Sequence, residues 1–289
     1  MEDHLIDKMK INRIIEELSW IPYRVKNQYL CKRKKIVTIK FGGIRFPFEI
    51  IEDKDYSSLS RNLQAYRMRE PRNVREFVKF VDEKDIVLDV GANIGFFTIL
   101  SKNAKKIIAI EPIEKCIPVL KRNLERNDLN DVVVLNVALG NGKPLFIKEE
   151  SALNLSKIVN KKGKNVRVIK SNDLKYFANK YKVNLIKIDA EGYEYEIFGK
   201  DKVPLNIDKM IMEFHIGLIG KEKSIEIIKN LYKQGFCAKK LIEDFPLRLY
   251  PFMKILWRFM TYIKKNLNEK ELIEEVFKGR SVKYLYLKR

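Results

Sequence analysis

Cysteine is scarce and scattered in this chain: Cys31, Cys116 and Cys237 are odd in number and form no Cys-x-x-Cys pair. That spacing excludes a disulfide framework and a thiolate zinc site, and isolated thiols suit a reducing compartment. Histidine is scarcer still, with only His4 and His215. No apolar run reaches the ~18 residues that a membrane span needs. The opening stretch, "MEDHLIDKMKINRIIEELSW" (1–20), is amphipathic, carries acids and lacks an apolar h-region. No signal peptide is therefore expected, and a cytoplasmic location is. Neither an internal repeat nor a low-complexity segment is present.

What is abundant is apolar material and positive charge. The chain has 289 residues, 46% of them hydrophobic, enough for a sizeable core in one large domain or one domain with elaborations. Its formal net charge is +20. Residues 1–85 contribute +5 of that excess, 86–244 contribute +8 and 245–289 contribute +7. No region is a pure basic tail; "CKRKK" (31–35) and "NKKGKN" (160–165) are short runs of the kind that usually cover a solvated face. Clustered Lys and Arg can also neutralise phosphates, which keeps a nucleic-acid partner open.

Along the chain, residues 5–30 have helical spacing, and "KIVTIKFGGIRFPFEII" (35–51) reads as two strands around Gly42-Gly43. Together with a helix at 73–81 they make a helical and hairpin extension over residues 1–84. From Asp85 the pattern changes. Strand-length apolar runs at 86–90, 106–111, 132–139, 183–189 and 209–214 alternate with amphipathic stretches at 94–103, 114–127, 172–181 and 192–199. That alternation predicts an α/β fold with a mostly parallel sheet covered on both faces. After a helix at 224–235 come strands at 236–242 and 281–288, separated by a largely helical insertion at about 243–280.

"VLDVGANIGFFT" (87–98) is a strand, a glycine turn and a helix start. It is not the Gly-x-Gly-x-x-Gly of a dinucleotide site, because the spacing is Gly91-x-x-x-Gly95 and an acid, Asp89, precedes the turn. An acid beside a pyrophosphate would repel it. It suits instead the cationic ammonium and sulfonium of S-adenosylmethionine (SAM). The second strand ends in Glu111, placed to accept hydrogen bonds from ribose hydroxyls.

These residues carry a family resemblance. "DVGANIGFFT" (89–98), "AIEP" (109–112), "LNVALG" (135–140), "SNDL" (171–174), "IKIDAEGYEYEIFGK" (186–200) and "MEFH" (212–215) resemble the FkbM family of class I, Rossmann-like SAM-dependent methyltransferases. The resemblance spans about residues 70–214. It implies a seven-stranded sheet with the last strand antiparallel, and methyl transfer, commonly to a hydroxyl of a sugar, lipid or secondary metabolite. It further implies that Asp89, Gly91, Asn93 and Gly95 border the methionine part of the cofactor and that Glu111 holds the ribose. Asn136 to Ala138 would lie near the adenine, and Glu70 would match, loosely, a Glu-Pro ahead of the first strand.

The strand ends also gather a set of acids. "KIDAEGYE" (187–194) closes the fourth parallel strand and "MEFH" the fifth. Ligands collect at the carboxyl ends of such strands, so Asp189, Glu191, Glu213, His215 and, less directly, Glu194 are expected on one rim. Two roles remain open there. One is a general base for the acceptor hydroxyl; the other is a divalent cation acting as a Lewis acid. Glu194 is better read as a partner of its helix dipole. A hydroxyl-bearing glycan, lipid or small molecule is the expected acceptor. RNA is the alternative, favoured by charge but not by the absence of any Pro-Pro pair, which removes the motif of enzymes that methylate exocyclic base amines. A SAM-binding module without catalysis is a third reading, disfavoured by the rim acids. Residues 249–265 place apolar side chains at helical spacing, which predicts a lid helix or a peripheral membrane contact.

Overall fold

The structure is a computed structural model that describes residues 35–41, 43–51, 63, 67–148, 157–159, 166–244, 262–279 and 282–289. A hairpin comes first, β1 (Ile36–Phe41) and β2 (Ile44–Glu49), followed by helix α1 (Pro71–Phe80). Then β3 (Ile86–Val90), α2 (Phe96–Leu100), β4 (Lys106–Ile110), α3 (Cys116–Glu125) and β5 (Val133–Leu135) alternate. Short strands follow: β6 (Ala138–Leu139), β7 (Leu145–Lys148), β8 (Lys157–Val159), β9 (Val166–Ile169) and β10 (Ser171–Asn172). The second half runs α4 (Leu174–Tyr181), β11 (Leu185–Ile188), α5 (Glu194–Phe198), β12 (Lys209–His215), α6 (Ile216–Ile219), α7 (Lys221–Lys233) and β13 (Cys237–Glu243). It closes with β14 (Tyr262–Leu267), α8 (Glu269–Val276) and β15 (Val282–Lys288).

One eight-stranded sheet organises these elements, in the order β14-β13-β15-β12-β11-β3-β4-β5. Strands β12, β11, β3, β4 and β5 are parallel neighbours, while β15 is antiparallel to both β12 and β13. Period-2 alternation sends side chains to two cores. Val87, Ala109, Leu185, Ile211 and Tyr286 face the hairpin and α1 to α3. Leu88, Ile108, Ile186, Met210 and Leu287 face α4, α5, α7 and α8. The interior strands are mostly apolar because both faces are covered, with Asp89, Lys187 and His215 as buried exceptions.

Seven of these strands realise the expected sheet, with β15 as its antiparallel member. The eighth, β14, is an addition. It lies in the stretch expected to be a helical insertion, where the structure has a strand at 262–267 before the helix at 269–276. Ile263 packs against the hairpin-side core and Leu267 against the other; four residues apart they would share a face in a regular strand, and Asn266 between them, at φ 50°, breaks the alternation. α8 is held by a capping box, with Asn268 accepting from the Glu271 amide at 2.9 Å and Glu271 returning the bond. The remainder of the 249–265 segment and the 5–30 helix lie outside the described residues. Among the described residues, no helix is long and apolar enough to cross a membrane.

Two departures shape the site. The run expected as one strand at 132–139 is broken after Leu135. There the Asn136 amide donates to the Glu111 and Pro112 carbonyls at 2.8 and 3.1 Å, and the chain leaves the sheet to pair β6 with β10. A three-stranded antiparallel sheet, β8-β7-β9, was not expected at all. Its strands of three or four residues are too short for a periodicity to show.

Candidate functional site

The site begins at the turn after β3. The amides of Gly91 and Ala92 both donate to the Ile110 carbonyl at 3.1 Å, and the Asp189 amide donates to the Val90 carbonyl at 3.1 Å. The ends of β3, β4 and β11 are thereby stitched together. Gly91 sits at φ 72°, and a Cβ there would overlap the Asp189 carbonyl oxygen. Only glycine fits, because the conformation is left-handed and the neighbour is rigid backbone. Asn93 also adopts positive φ, at 51°, and its side chain accepts from the Ile94 amide at 2.8 Å.

Glu111 faces this turn from the end of β4. Its carboxyl accepts from the Asn93 and Ile113 amides, each at 2.7 Å. Burial pushes its pKa up to about 7, outweighing those two bonds. A cleft with roughly 700 Å³ of open space, solvent at its mouth included, runs past Gly91, Asn93 and Glu111. One wall is apolar, made by Ile113, Val137, Ala138 and Leu139 with Ile147 from β7 and Ile158 from β8; the far end is closed by Asp189, Glu191 and Tyr193.

Of the sequence-predicted cofactor residues, Gly91, Asn93, Glu111 and Ala138 line this cleft. The others do not. Asp89 is 1% exposed and lies beneath the turn, accepting from Thr98 Oγ1 at 2.6 Å. Gly95 lets α2 approach α3, since a Cβ would meet Leu120 Cδ1 at 2.5 Å. Asn136 braces the 111–112 backbone instead of facing the cavity. Glu70 pairs with Arg69 and accepts from Asn73 Nδ2 at 3.0 Å, on the side of Glu213 and Tyr284.

The predicted rim does assemble. His215, at the end of β12, is the hub. Its Nδ1 meets Glu194 Oε1 at 2.7 Å, and with a carboxylate as acceptor that nitrogen carries the hydrogen. Its Nε2 faces Glu191 Oε2 at 3.5 Å, Glu213 Oε1 at 3.8 Å and Asp189 Oδ1 at 4.0 Å. Burial alone would lower the imidazole's pKa, but the Glu194 hydrogen bond and the charges of Asp189 and Glu213 push it up to about 10. Burial likewise pushes Glu191 up to about 7, with Asp189 adding to it, and lifts Glu213 well above the carboxylate range. Asp189 goes the other way. Burial works to raise it, yet Lys187, His215 and Arg69 together hold it below its ordinary value, helped by a hydrogen bond from Glu213. Glu194 is fully buried, so it belongs to the site and is more than a partner of its helix dipole.

Sequence reasoning missed two cations here. Lys187 is buried on β11, 3.5 Å from Asp89 and 3.8 Å from Asp189, over the Phe97 ring at 5.0 Å. Arg69 lies over Phe96 and Phe97 at 5.8 and 5.5 Å. A lysine inside the apolar run "NLIKID" is the signal that could have found the first: a buried charge demands a partner. Arg69 precedes α1 and has no such mark.

The strand order, the antiparallel β15 and a cleft over the parallel strand ends, with an acid closing β4, define a Rossmann-like methyltransferase. Comparison with known proteins then narrows the class. The profile of the Methyltransferase FkbM domain matches residues 89–254, and the chain belongs to that family. It is 25% identical over 197 residues to the Hexuronic acid methyltransferase AglP of Haloferax volcanii, covering 64% of this chain and 82% of that protein. It is 29% identical over 167 residues to the tRNA (guanine(37)-N(1))-methyltransferase Trm5b of Methanocaldococcus jannaschii, covering 57% of this chain but only 41% of that one. Among solved structures, the tRNA m1G37 methyltransferase of M. jannaschii superposes with a TM-score of 0.43 at 18% identity, over 89% of this chain and 57% of that chain.

Proposed function

We propose that this methyltransferase moves the methyl group of SAM to a hydroxyl oxygen of a glycan or a related small acceptor. The cleft suits the cofactor. Its apolar wall can take the adenine, Glu111 stands where ribose hydroxyls would reach it, and the Gly91 backbone leaves room for the methionine part beside Asp189. SAM supplies, when bound, a methyl group on a sulfonium centre.

The observation that carries the reading is the rim of Asp189, Glu191, Glu213 and His215, of which Asp189 and Glu191 line that cleft. Methylating a hydroxyl requires its proton to leave while the oxygen forms the new O–CH3 bond; the C–S bond breaks and its electron pair passes to sulfur. Positioned acid–base groups contribute about 10²–10⁴ to such a rate. His215, held protonated by its carboxylates, orients this rim, and the proton leaves through the Asp189–Glu191 pair. A hexuronic acid methyltransferase among the relatives supports a glycan acceptor. The tRNA relative and the +20 charge favour a second reading, RNA methylation.

Incubating the protein with methyl-labelled SAM and host extract separates the two. Label is expected in a nuclease-resistant glycan or lipid fraction, and Asp189→Asn is expected to lower its incorporation at least ~100-fold without unfolding the protein. Nuclease-sensitive label would transfer the assignment to RNA, and unchanged incorporation would remove Asp189 from the rim's chemistry.

A further inference from the structure

Four carboxylates converge on the single imidazole of His215, and several of their atoms have nothing to bond. Asp189 Oδ1, Glu194 Oε2 and Glu213 Oε2 are buried with no hydrogen-bond partner among the described residues. The His215 side chain is 7% exposed, and its only hydrogen bond is made by Nδ1. Nε2 faces Asp189 Oδ1 and Glu191 Oε2 at 4.0 and 3.5 Å, and a cation bound there would take the place of its proton. One ligand atom from each of Asp189, Glu191 and His215 lies within 4.8 Å of the other two.

We propose that Asp189, Glu191 and His215 Nε2 bind one divalent cation, with Glu194 as the positioning residue that fixes the imidazole through Nδ1. Atoms held ~2.0–2.3 Å from a common ion lie roughly 3–4 Å apart, close to the separations found here. The supporting pattern is that of a metal-ligating histidine whose other nitrogen is bonded to a carboxylate. Charge points the same way. Lys187 is shared between Asp89 and Asp189, and Arg69 is paired with Glu70. Among the described residues the ion pairs of Glu191, Glu194 and Glu213 are all made with His215, while Arg69 acts on Glu191 and Glu213 from farther away. Two carboxylate oxygens and one imidazole nitrogen suit a cation of intermediate hardness, Mn²⁺ in preference to thiol-seeking ions.

The inference rests on the hydroxyl-methylation reading and adds a Lewis acid to it. A cation at this rim lowers the pKa of the acceptor hydroxyl. Its proton leaves through the Asp189–Glu191 pair to water on the exposed side of Glu191, the oxygen pair forms the O–CH3 bond, and the C–S pair passes to sulfur.

The test is titration of the full chain with Mn²⁺, reading free ion by electron paramagnetic resonance. One ion per chain is expected, with affinity at least tenfold weaker in Asp189→Asn, Glu191→Gln and His215→Gln. Glu194→Gln is expected to keep the stoichiometry and weaken binding about 10–100-fold. Glu191 is the least buried ligand, so its variant keeps the test valid if the others fail to fold. Absence of binding, or equal affinity in Glu191→Gln, overturns the site. Methyl transfer to a hydroxyl that persists in EDTA would overturn the cation while leaving the acceptor assignment intact. Mn²⁺ binding with label only on RNA would overturn the acceptor assignment and leave the site.

Discussion

At the scale of single residues, glycine positions differ sharply in what they protect. Gly91 and Gly142 both adopt left-handed backbone, at φ 72° and 83°. A side chain at Gly142 would meet nothing within 4 Å, whereas at Gly91 it would strike the Asp189 carbonyl. Gly142→Ala should therefore show only the conformational cost, about 1–2 kcal/mol. Gly91→Ala should add a forced separation of β3 from β11 and reduce SAM affinity at least about tenfold. Calorimetric SAM titration with parallel thermal melts checks both; equal affinity in the two variants would mean the turn does not shape the cofactor cleft. Residue identity made this position legible, because few groups substitute for glycine in such a turn. Asn136 was harder. It stands beside the adenine wall in sequence, yet its amide is occupied by the 111–112 carbonyls, and no composition rule reports where a side chain turns.

At the scale of elements, the hairpin is fastened to α3 by one buried acid. Glu49 is 1% exposed and takes Arg122 Nε and Nη2 at 3.0 and 2.8 Å, with Arg126 and Lys35 at 3.3 and 3.5 Å. Asn123 completes the joint, accepting from the Glu49 amide at 2.6 Å and donating to its carbonyl at 2.9 Å. The Arg122 hydrogen bond holds the Glu49 carboxyl below its ordinary value despite burial. A lowered acid stabilises the fold above its unfolded pKa, near 4.5, and loses that contribution as pH falls through the folded value. Glu49→Gln should thus cost about 1–3 kcal/mol at pH 7, and the gap to the parent should close under acid. Melting curves at pH 7 and below pH 4 read this directly; a gap independent of pH would assign the loss to packing. Strands and helices of this kind were legible because burial on two faces writes long apolar runs. Strands β7 to β9 were not, since each is too brief to show a period, and β14 was read as helix because Ile263 fits a 3.6-residue spacing as well as a two-residue one.

At the scale of the whole molecule, charge and chemistry are separable. The +20 excess is spread over all three regions of the chain, while the rim concentrates carboxylates around one histidine. Non-specific polyanion binding follows from the first and should weaken steeply with salt. Adding RNA should accordingly leave the methyl-transfer rate unchanged at physiological salt, measured by initial rates with and without a tRNA pool. Stimulation by RNA would connect the charge to catalysis. The rim was legible because strand ends in an open α/β sheet converge by topology. The buried lysine at its base was not, as a 3.6- or two-residue pattern treats Lys187 as an interruption.

The eighth strand has a bearing on how such a protein can change. β14 pairs only with β13, four strands away from β11 in the sheet order, and it presents exposed Lys265 and Asn266 at the sheet margin. Charged margins discourage further strand addition, and among the described residues the sheet ends there. Material lengthened, shortened or replaced at that border would leave the neighbours of β3, β11 and β12 unchanged. The margin can therefore be remade while the centre keeps one chemistry.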